Sequence, residues 1–169
     1  MLQIGFSLLI LTALGLGSPA PPFALNGYEF GEAALARTTG APTLIAFLDF
    51  SEAEISGSGV PSASRAEADA VRSLWMTSRV SGLRIVMVDA APTVHGRTPS
   101  LAQLQSRVGA WELDAFPIVQ DGAGSGLARR YGVTRTPTVF LLDGAGIVRG
   151  RWDTFVPATE LAPGVDALR

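Results

Sequence analysis

The sequence contains no cysteine in 169 residues. This absence excludes disulfide bonds, thiolate nucleophiles, iron–sulfur ligation and cysteine-based zinc sites. There is a single histidine, so a metal site built from several histidines is excluded as well. Lysine is also absent and the net charge is -2, which is not the concentrated positive charge of a nucleic-acid-binding protein. We therefore expect no metal ion, no bound cofactor and no nucleic-acid partner.

Charge is also missing from the N-terminus, because the first charged side chain is Glu29. Residues 1–17 are mostly apolar, and a membrane-spanning helix needs about 17–25 such residues. We interpret residues 1–17 as a single membrane anchor that precedes one folded domain at residues 18–169. A cleaved signal segment is the alternative, with the apolar core of such a segment but not its basic start. Either interpretation places the domain outside the cytoplasm, attached to the cell membrane or secreted.

Short apolar runs alternate with segments of helical periodicity along the rest of the chain. This order predicts an α/β sandwich whose mixed sheet has parallel central strands and an antiparallel C-terminal hairpin. The predicted strands are residues 43–48, 83–88, 116–119, 138–142 and 147–152, and the predicted helices are residues 65–80, 99–109 and 125–131.

Local signals refine these boundaries. Ser64 followed by Glu67 matches a capping box at the start of the first long helix. Residues 31–38 are expected to form one or two helical turns. The C-terminal helix is expected to break at Pro163-Gly164, because proline interrupts the helical hydrogen bonds.

One stretch resembles a known family: residues 127–144, with the sequence LARRYGVTRTPTVFLLDG, are similar to the thioredoxin-like superfamily. The closest likeness is to its redoxin branch, which contains the AhpC/TSA peroxiredoxins and the membrane-tethered TlpA-type and MauD-type proteins. Three further segments resemble redoxins in the same order, namely GSPAPPFAL at 17–25, GAPTLIAFL at 40–48 and FPIVQD at 116–121. The resemblance implies a three-layer thioredoxin-like sandwich, with a cis peptide bond between Thr136 and Pro137.

The family's Cys-x-x-Cys motif has no counterpart in this chain. Counting from the end of the first buried strand places its two positions at Glu52 and Ile55, or at Ser51 and Glu54 if the alignment shifts by one residue. None of these side chains supports thiol–disulfide exchange, which requires a thiolate. The buried acid of thioredoxins corresponds to Ala46 here. The resemblance therefore implies a degenerate active-site loop without a catalytic residue.

Thr136 and Pro137 are the candidate binding residues. In thioredoxin-like proteins the backbone beside the cis proline pairs with an extended substrate peptide, so the resemblance implies peptide binding at this position. The alternative is that the fold requires this turn whatever the function.

Three other features are weaker candidates. Asp49, Glu52 and Glu54 form an acidic cluster that is either a cation site or a solvated helix N-terminus. His95 lies in a predicted surface loop without a second metal ligand. The glycine-rich residues 121–126 lack the Lys and the Ser/Thr of a phosphate-binding loop.

These observations predict a redox-inactive, extracytoplasmic module that binds a peptide or protein, in an accessory role in assembly. One alternative is an oxidoreductase-family protein that acts through a partner's thiols or through a bound cofactor. Another is a structural remnant of the family without a ligand. Fold alone does not decide among them.

Overall fold

The structure is a computed structural model that describes residues 14–28, 32–35, 40–52, 61–78, 82–122 and 126–168. The elements in these residues are β1 (Phe23–Tyr28), β2 (Glu32–Leu35), β3 (Thr43–Leu48), α1 (Ala63–Thr77), β4 (Arg84–Asp89), α2 (Ala91–Val94), α3 (Leu101–Ala110), β5 (Ile118–Gln120), α4 (Leu127–Arg130), β6 (Thr138–Leu142), β7 (Val148–Trp152) and α5 (Ala158–Asp166).

A mixed sheet forms the middle layer, with the strand order β2-β1-β5-β4-β3-β6-β7. Strands β3, β4 and β5 are parallel, whereas β6 and β7 continue the sheet as an antiparallel hairpin. The predicted fold class, with parallel central strands and an antiparallel C-terminal hairpin, is confirmed. The pair β1–β2, which extends the other edge, was not predicted.

Both faces of the sheet are covered, as the continuous apolar run of β3 indicates. All six residues of β3 are buried. Successive side chains of a strand point to opposite faces. Leu44, Ala46 and Leu48 accordingly pack in a core cluster with α1, α3 and α5. Ile45 and Phe47 pack in a second cluster with α4 and the N-terminal residues.

The described N-terminal residues 14–22, which we call the N-terminal strap, lie along the β6–β7 hairpin and α4. Gly17 N–H donates to Val148 O (2.8 Å), and Val148 N–H donates to Ser18 O (2.9 Å). At the two ends of the strap, Arg151 Nη1 donates to Leu14 O (3.0 Å) and Arg130 Nη1 donates to Pro22 O (3.1 Å). Residues 14–17 belong to the apolar segment predicted at residues 1–17, and they therefore contact the folded domain. Among the described residues, no helix is long and apolar enough to cross a membrane.

Two local predictions were wrong. Within residues 31–38, the described residues Glu32–Leu35 form strand β2 rather than a helical turn, because they pair with β1. Helix α5 runs through Pro163 without a break, held on both sides of the proline by the buried Leu161 and Val165.

The capping box predicted for the first long helix was also wrong. Ser62 caps α1 by accepting a hydrogen bond from Arg65 N–H (3.2 Å). This start frees Ser64 and Glu67 for the interior, where both are fully buried. Their partners lie outside the helix, as described below.

Gly150 in β7 provides a test of the packing around this sheet edge. A Cβ added there would lie 2.3 Å from Cη2 of Trp152, whose ring folds back over the glycine. We expect Gly150→Ala to displace the indole and to lower the free energy of unfolding by about 1–3 kcal/mol. Chemical denaturation measures this change. The matched control is Gly109→Ala in α3, where nothing lies within 4 Å of an added Cβ; it should leave stability unchanged or raise it. Equal stability of the two variants would contradict this packing.

Candidate functional site

Buried polar side chains gather where the three parallel strands end. Asp49 follows β3, Asp89 ends β4 and Asp121 follows β5, and all three are fully buried. Because carboxyl ends of parallel strands meet at one edge of a sheet, this edge is where α/β proteins commonly bind ligands. We call it the polar edge.

Asp49 organises the polar edge. Its Oδ1 accepts hydrogen bonds from Ser51 N–H (2.8 Å) and from the Ser51 hydroxyl (2.5 Å). Its Oδ2 accepts one from Arg97 Nη2 (2.5 Å) and lies 3.8 Å from His95 Nε2. The interpretation of Asp49 as part of a solvated helix N-terminus, one of the two alternatives above, was therefore wrong, since this carboxylate is buried and paired with an arginine.

The remaining residues of the acidic cluster do not join Asp49 in a metal site. Glu52 Oε2 accepts a hydrogen bond from Ser64 N–H (3.4 Å) in the first turn of α1, an arrangement that the helix dipole favours. Glu54 and Ile55 lie outside the described residues. In the part of the chain that the structure describes, no three Asp, Glu or His side chains are grouped closely enough to hold a metal ion.

The Thr136-Pro137 peptide bond is cis, and it lies beside the polar edge. Thr136 Oγ1 is 2.9 Å from His95 Nε2, so this histidine is not the isolated loop residue that its sequence context indicates. The same ring nitrogen faces both Asp49 and Thr136. A proton relay of the serine-protease kind needs the acid on one ring nitrogen and the hydroxyl on the other. The His95 ring therefore links Asp49 to Thr136 but does not form a catalytic triad with them.

The start of α1 is the place where a reactive thiolate would be stabilised, because helix N-termini lower the pKa of a thiol. That position holds Ser62, Ala63 and Ser64. Ser64 Oγ accepts a hydrogen bond from Asp49 N–H (2.9 Å) and ties the helix to the polar edge. The predicted degenerate loop of Ser51, Glu52, Glu54 and Ile55 comes earlier in the chain, and the structure describes only its first two residues. No residue at the start of α1 carries a thiol.

Two buried carboxyl groups lie near this edge although Ala46 carries none. Burial raises the pKa of Asp89, against hydrogen bonds from Gln120 Nε2 (3.1 Å) and Phe50 N–H (3.3 Å) that lower it. Burial also raises the pKa of Glu67 to about 7, against a hydrogen bond from Val156 N–H (2.8 Å). Two carboxyl groups with raised pKa values are therefore present, one at the end of β4 and one on α1, and neither is at the position of Ala46. The sequence offered one signal for Glu67, its place on the apolar side of a helix.

A cleft of about 360 Å³ opens between the loop after β3 and one side of α3. Its lining combines an aromatic ring, two hydroxyls, an amide and one cation: Phe50, Ser51, Ala102, Gln103, Ser106 and Arg107. Phe50 is itself fixed by stacking on the buried Trp111, with ring centroids 5.0 Å apart. Ser51 belongs to both the cleft and the polar edge, so the two are continuous.

Two backbone N–H groups at the start of α4, just after the glycine-rich segment, already have a partner and are not free to bind a phosphate. The Asp121 carboxylate accepts hydrogen bonds from Leu127 N–H and Ala128 N–H, both at 2.8 Å. These are the donors at the start of α4 that a phosphate would need. An internal acid thus occupies the position.

Comparison with solved structures shows which proteins share this fold. A candidate thiol:disulfide interchange protein DsbE from Chlorobium tepidum has a TM-score of 0.71 and 24% identity, over 92% of this chain and 99% of that one. The thioredoxin domain of a thiol-disulfide oxidoreductase from Bacteroides vulgatus has a TM-score of 0.71 and 15% identity, over 93% and 100%. A secreted Mycobacterium tuberculosis disulfide oxidoreductase has a TM-score of 0.65 and 17% identity, over 86% and 96%.

No protein-family model matches the sequence, and no curated protein gives a significant match. The class that the structure defines is the thioredoxin fold, which this chain shares with these solved structures. This chain has that fold and contains no cysteine.

Glu67 makes the stability of the domain depend on pH. Its pKa is about 7 in the folded protein against 4.5 for an ordinary glutamate, so the folded state binds the proton more tightly. The contribution of Glu67 to the free energy of unfolding is fully present below pH 4.5. It is lost as the pH rises through 7, by about 3 kcal/mol in total. Glu67→Gln keeps an acceptor for Val156 N–H and cannot ionise. We expect urea titrations from pH 4 to 9 to show a flatter profile for this variant.

The matched control is Glu160→Gln, at an exposed position of α5. It should follow the wild-type profile. A Glu67→Gln protein that loses as much stability as the wild type between about pH 4.5 and 8 would contradict the assignment.

Proposed function

We propose that this chain is a redox-inactive module that binds an extended peptide or protein segment outside the cytoplasm. The observation that carries the proposal is the backbone of Thr136. Neither its N–H nor its C=O forms a hydrogen bond with another described residue, although the peptide bond to the buried Pro137 is fixed in the fold. An unpaired backbone edge of this kind can accept a strand from a partner.

The surroundings of Thr136 support a prearranged edge. Asp49 holds Arg97 at 2.5 Å, and His95 bridges the space to Thr136 Oγ1. Side chains that are already ordered lose less entropy on binding than free ones. Hydrogen bonds therefore connect the loop after β3, helix α1 and the cis-proline turn in the absence of a partner.

The cleft lined by Phe50 and Arg107 supports a place for one side chain of the partner. It is large enough for an amino-acid side chain, and Ser51 connects it to the polar edge. Arg107 is the one charged residue among the cleft's lining residues. Apolar lining groups beside a single cation favour a long or aromatic side chain of the partner. A negatively charged group next to that side chain in the partner would lie near Arg107.

We also propose that the domain is held at the membrane by its N-terminal apolar segment. Removal of all of residues 1–17 would take away Leu14 O and Gly17 N–H, which form hydrogen bonds within the folded domain, so the N-terminal strap supports retention of residues 14–17. The secreted location of the Mycobacterium tuberculosis neighbour agrees with a place outside the cytoplasm.

A second function deserves a test because the neighbours are thiol–disulfide oxidoreductases and because two buried acids have raised pKa values. In this alternative, the chain assists exchange between the thiols of its partners. Glu67 and Asp89 would then move protons, with the sulfur supplied entirely from outside.

The two functions separate in an insulin reduction assay. We expect the purified chain to add nothing to the rate obtained with dithiothreitol alone, because exchange requires a thiolate and the chain has none. A cysteine-containing thioredoxin serves as the positive control. Catalysis by the chain that Glu67→Gln reduces would contradict the binding proposal and support the alternative.

Backbone pairing at Thr136 is tested with cysteine-free decapeptides selected for binding from a random library. Each backbone N–H of a selected peptide is replaced in turn by N-methyl. We expect about five- to tenfold weaker binding when the N–H that pairs with Thr136 C=O is removed, and little change at the adjacent position, which faces away. Fluorescence anisotropy measures the affinities. A uniform response along the peptide, or a library that yields no binder, would contradict the proposal.

A further inference from the structure

We infer that the polar edge selects a peptide segment that carries acidic residues, which bind Arg107 in the cleft and Arg135 beside the cis-proline turn. The inference rests on the proposed binding of a peptide at Thr136, and it adds the chemical class of that peptide. It depends on two cations without a partner and on carboxylates of the edge that are already paired or buried.

Arg135 lies directly before Thr136 in the chain, and it is exposed. Its carbonyl accepts a hydrogen bond from the Thr138 hydroxyl (2.9 Å), which fixes the backbone around the turn. Its guanidinium forms neither an ion pair nor a hydrogen bond with any residue in the described ranges. A segment that pairs with the backbone of Thr136 therefore passes within reach of a free cation.

Arg107 lies in the last turn of α3 and lines the cleft together with Phe50 and Ser51. It is partly buried, and no carboxylate in the part of the chain that the structure describes pairs with it. Water screens a partly buried charge less than an exposed one, so such a cation attracts an anion more strongly. A guanidinium also binds a carboxylate through two parallel hydrogen bonds. The cleft therefore favours an acidic side chain of the bound segment.

The carboxylates of the polar edge do not offset these two cations. Asp49 is fully buried, and its Oδ2 already accepts a hydrogen bond from Arg97 Nη2 (2.5 Å). Glu52 accepts a hydrogen bond in the first turn of α1, where the helix dipole balances a negative charge. Asp89 and Asp121 are fully buried and bonded to donors of the fold. A bound segment therefore meets positive charge at this edge.

The sequences of selected peptides test this specificity. Cysteine-free decapeptides are selected from a random library against the wild-type chain at low ionic strength. We expect Asp and Glu to be enriched in the binders relative to the starting library, because opposite charges across an interface favour association. No enrichment of acidic residues among the binders would overturn the inference.

Amide replacement measures the contribution of each acidic side chain. Replacing a contacting Asp by Asn, or Glu by Gln, should weaken binding about three- to fivefold, the effect of one ion pair near the surface. Raising NaCl to about 0.5 M should remove most of the difference between the acidic peptide and its amide version, since salt screens the charges. Fluorescence anisotropy measures the affinities.

Arg107→Gln and Arg135→Gln identify the side chains responsible. Each variant should bind the acidic peptide and one of its amide versions equally, because both changes remove the same ion pair and their effects do not add. The matched control is Arg84→Gln, which removes the same charge from an exposed residue at the start of β4, the opposite end of that strand from Asp89. It should keep the full acidic preference. Urea denaturation verifies that the variants are folded, and the peptide replacements need no protein variant.

Two further outcomes would overturn the inference: an acidic preference that survives in both Arg107→Gln and Arg135→Gln, or one that Arg84→Gln reduces to the same extent. In both cases the peptides still bind, so the proposed function stands. A library that yields no binder would instead overturn the proposed function, and this inference with it.

Discussion

The buried carboxylate of Asp49 is the interaction on which the arrangement of the site depends. A buried charge is costly unless it is paired and hydrogen-bonded, and Asp49 meets both conditions through Arg97 and Ser51. Its neighbours His95 and Thr136 extend the connection to the cis-proline turn. Removing this one carboxylate would leave the guanidinium and the Ser51 loop without their common partner.

The solved structures that share this fold include proteins described as acting on thiols and disulfides, whereas this chain has no cysteine at the polar edge or elsewhere. The start of α1 carries serine and alanine in place of a nucleophile, yet the turn, the cleft and the buried acids remain. Redox chemistry needs specific atoms, whereas strand pairing needs only backbone groups in the correct position. The proposed strand pairing at Thr136 is therefore compatible with the absence of cysteine.

Sequence reasoning identified the fold because its evidence was redundant: buried-strand runs, helical periodicity and the segment around Thr136-Pro137 all indicate the same architecture. It missed the partners of His95 and the role of Glu67, since these depend on contacts between residues far apart in the chain. It also misjudged Asp49, because exposure was assumed from a polar neighbourhood. Helix α1 begins at Ala63, two residues before the predicted start, because the periodicity of apolar residues does not fix where the preceding loop ends.

Hydrogen exchange at the Thr136 amide tests the central claim most directly, with the chain free and saturated with a selected cysteine-free peptide. An amide without an internal partner exchanges rapidly, and pairing with a strand protects it. The account predicts at least tenfold slower exchange at Thr136 in the complex, with little change at the amides of β7. Unchanged exchange at Thr136 in a saturated complex would contradict it.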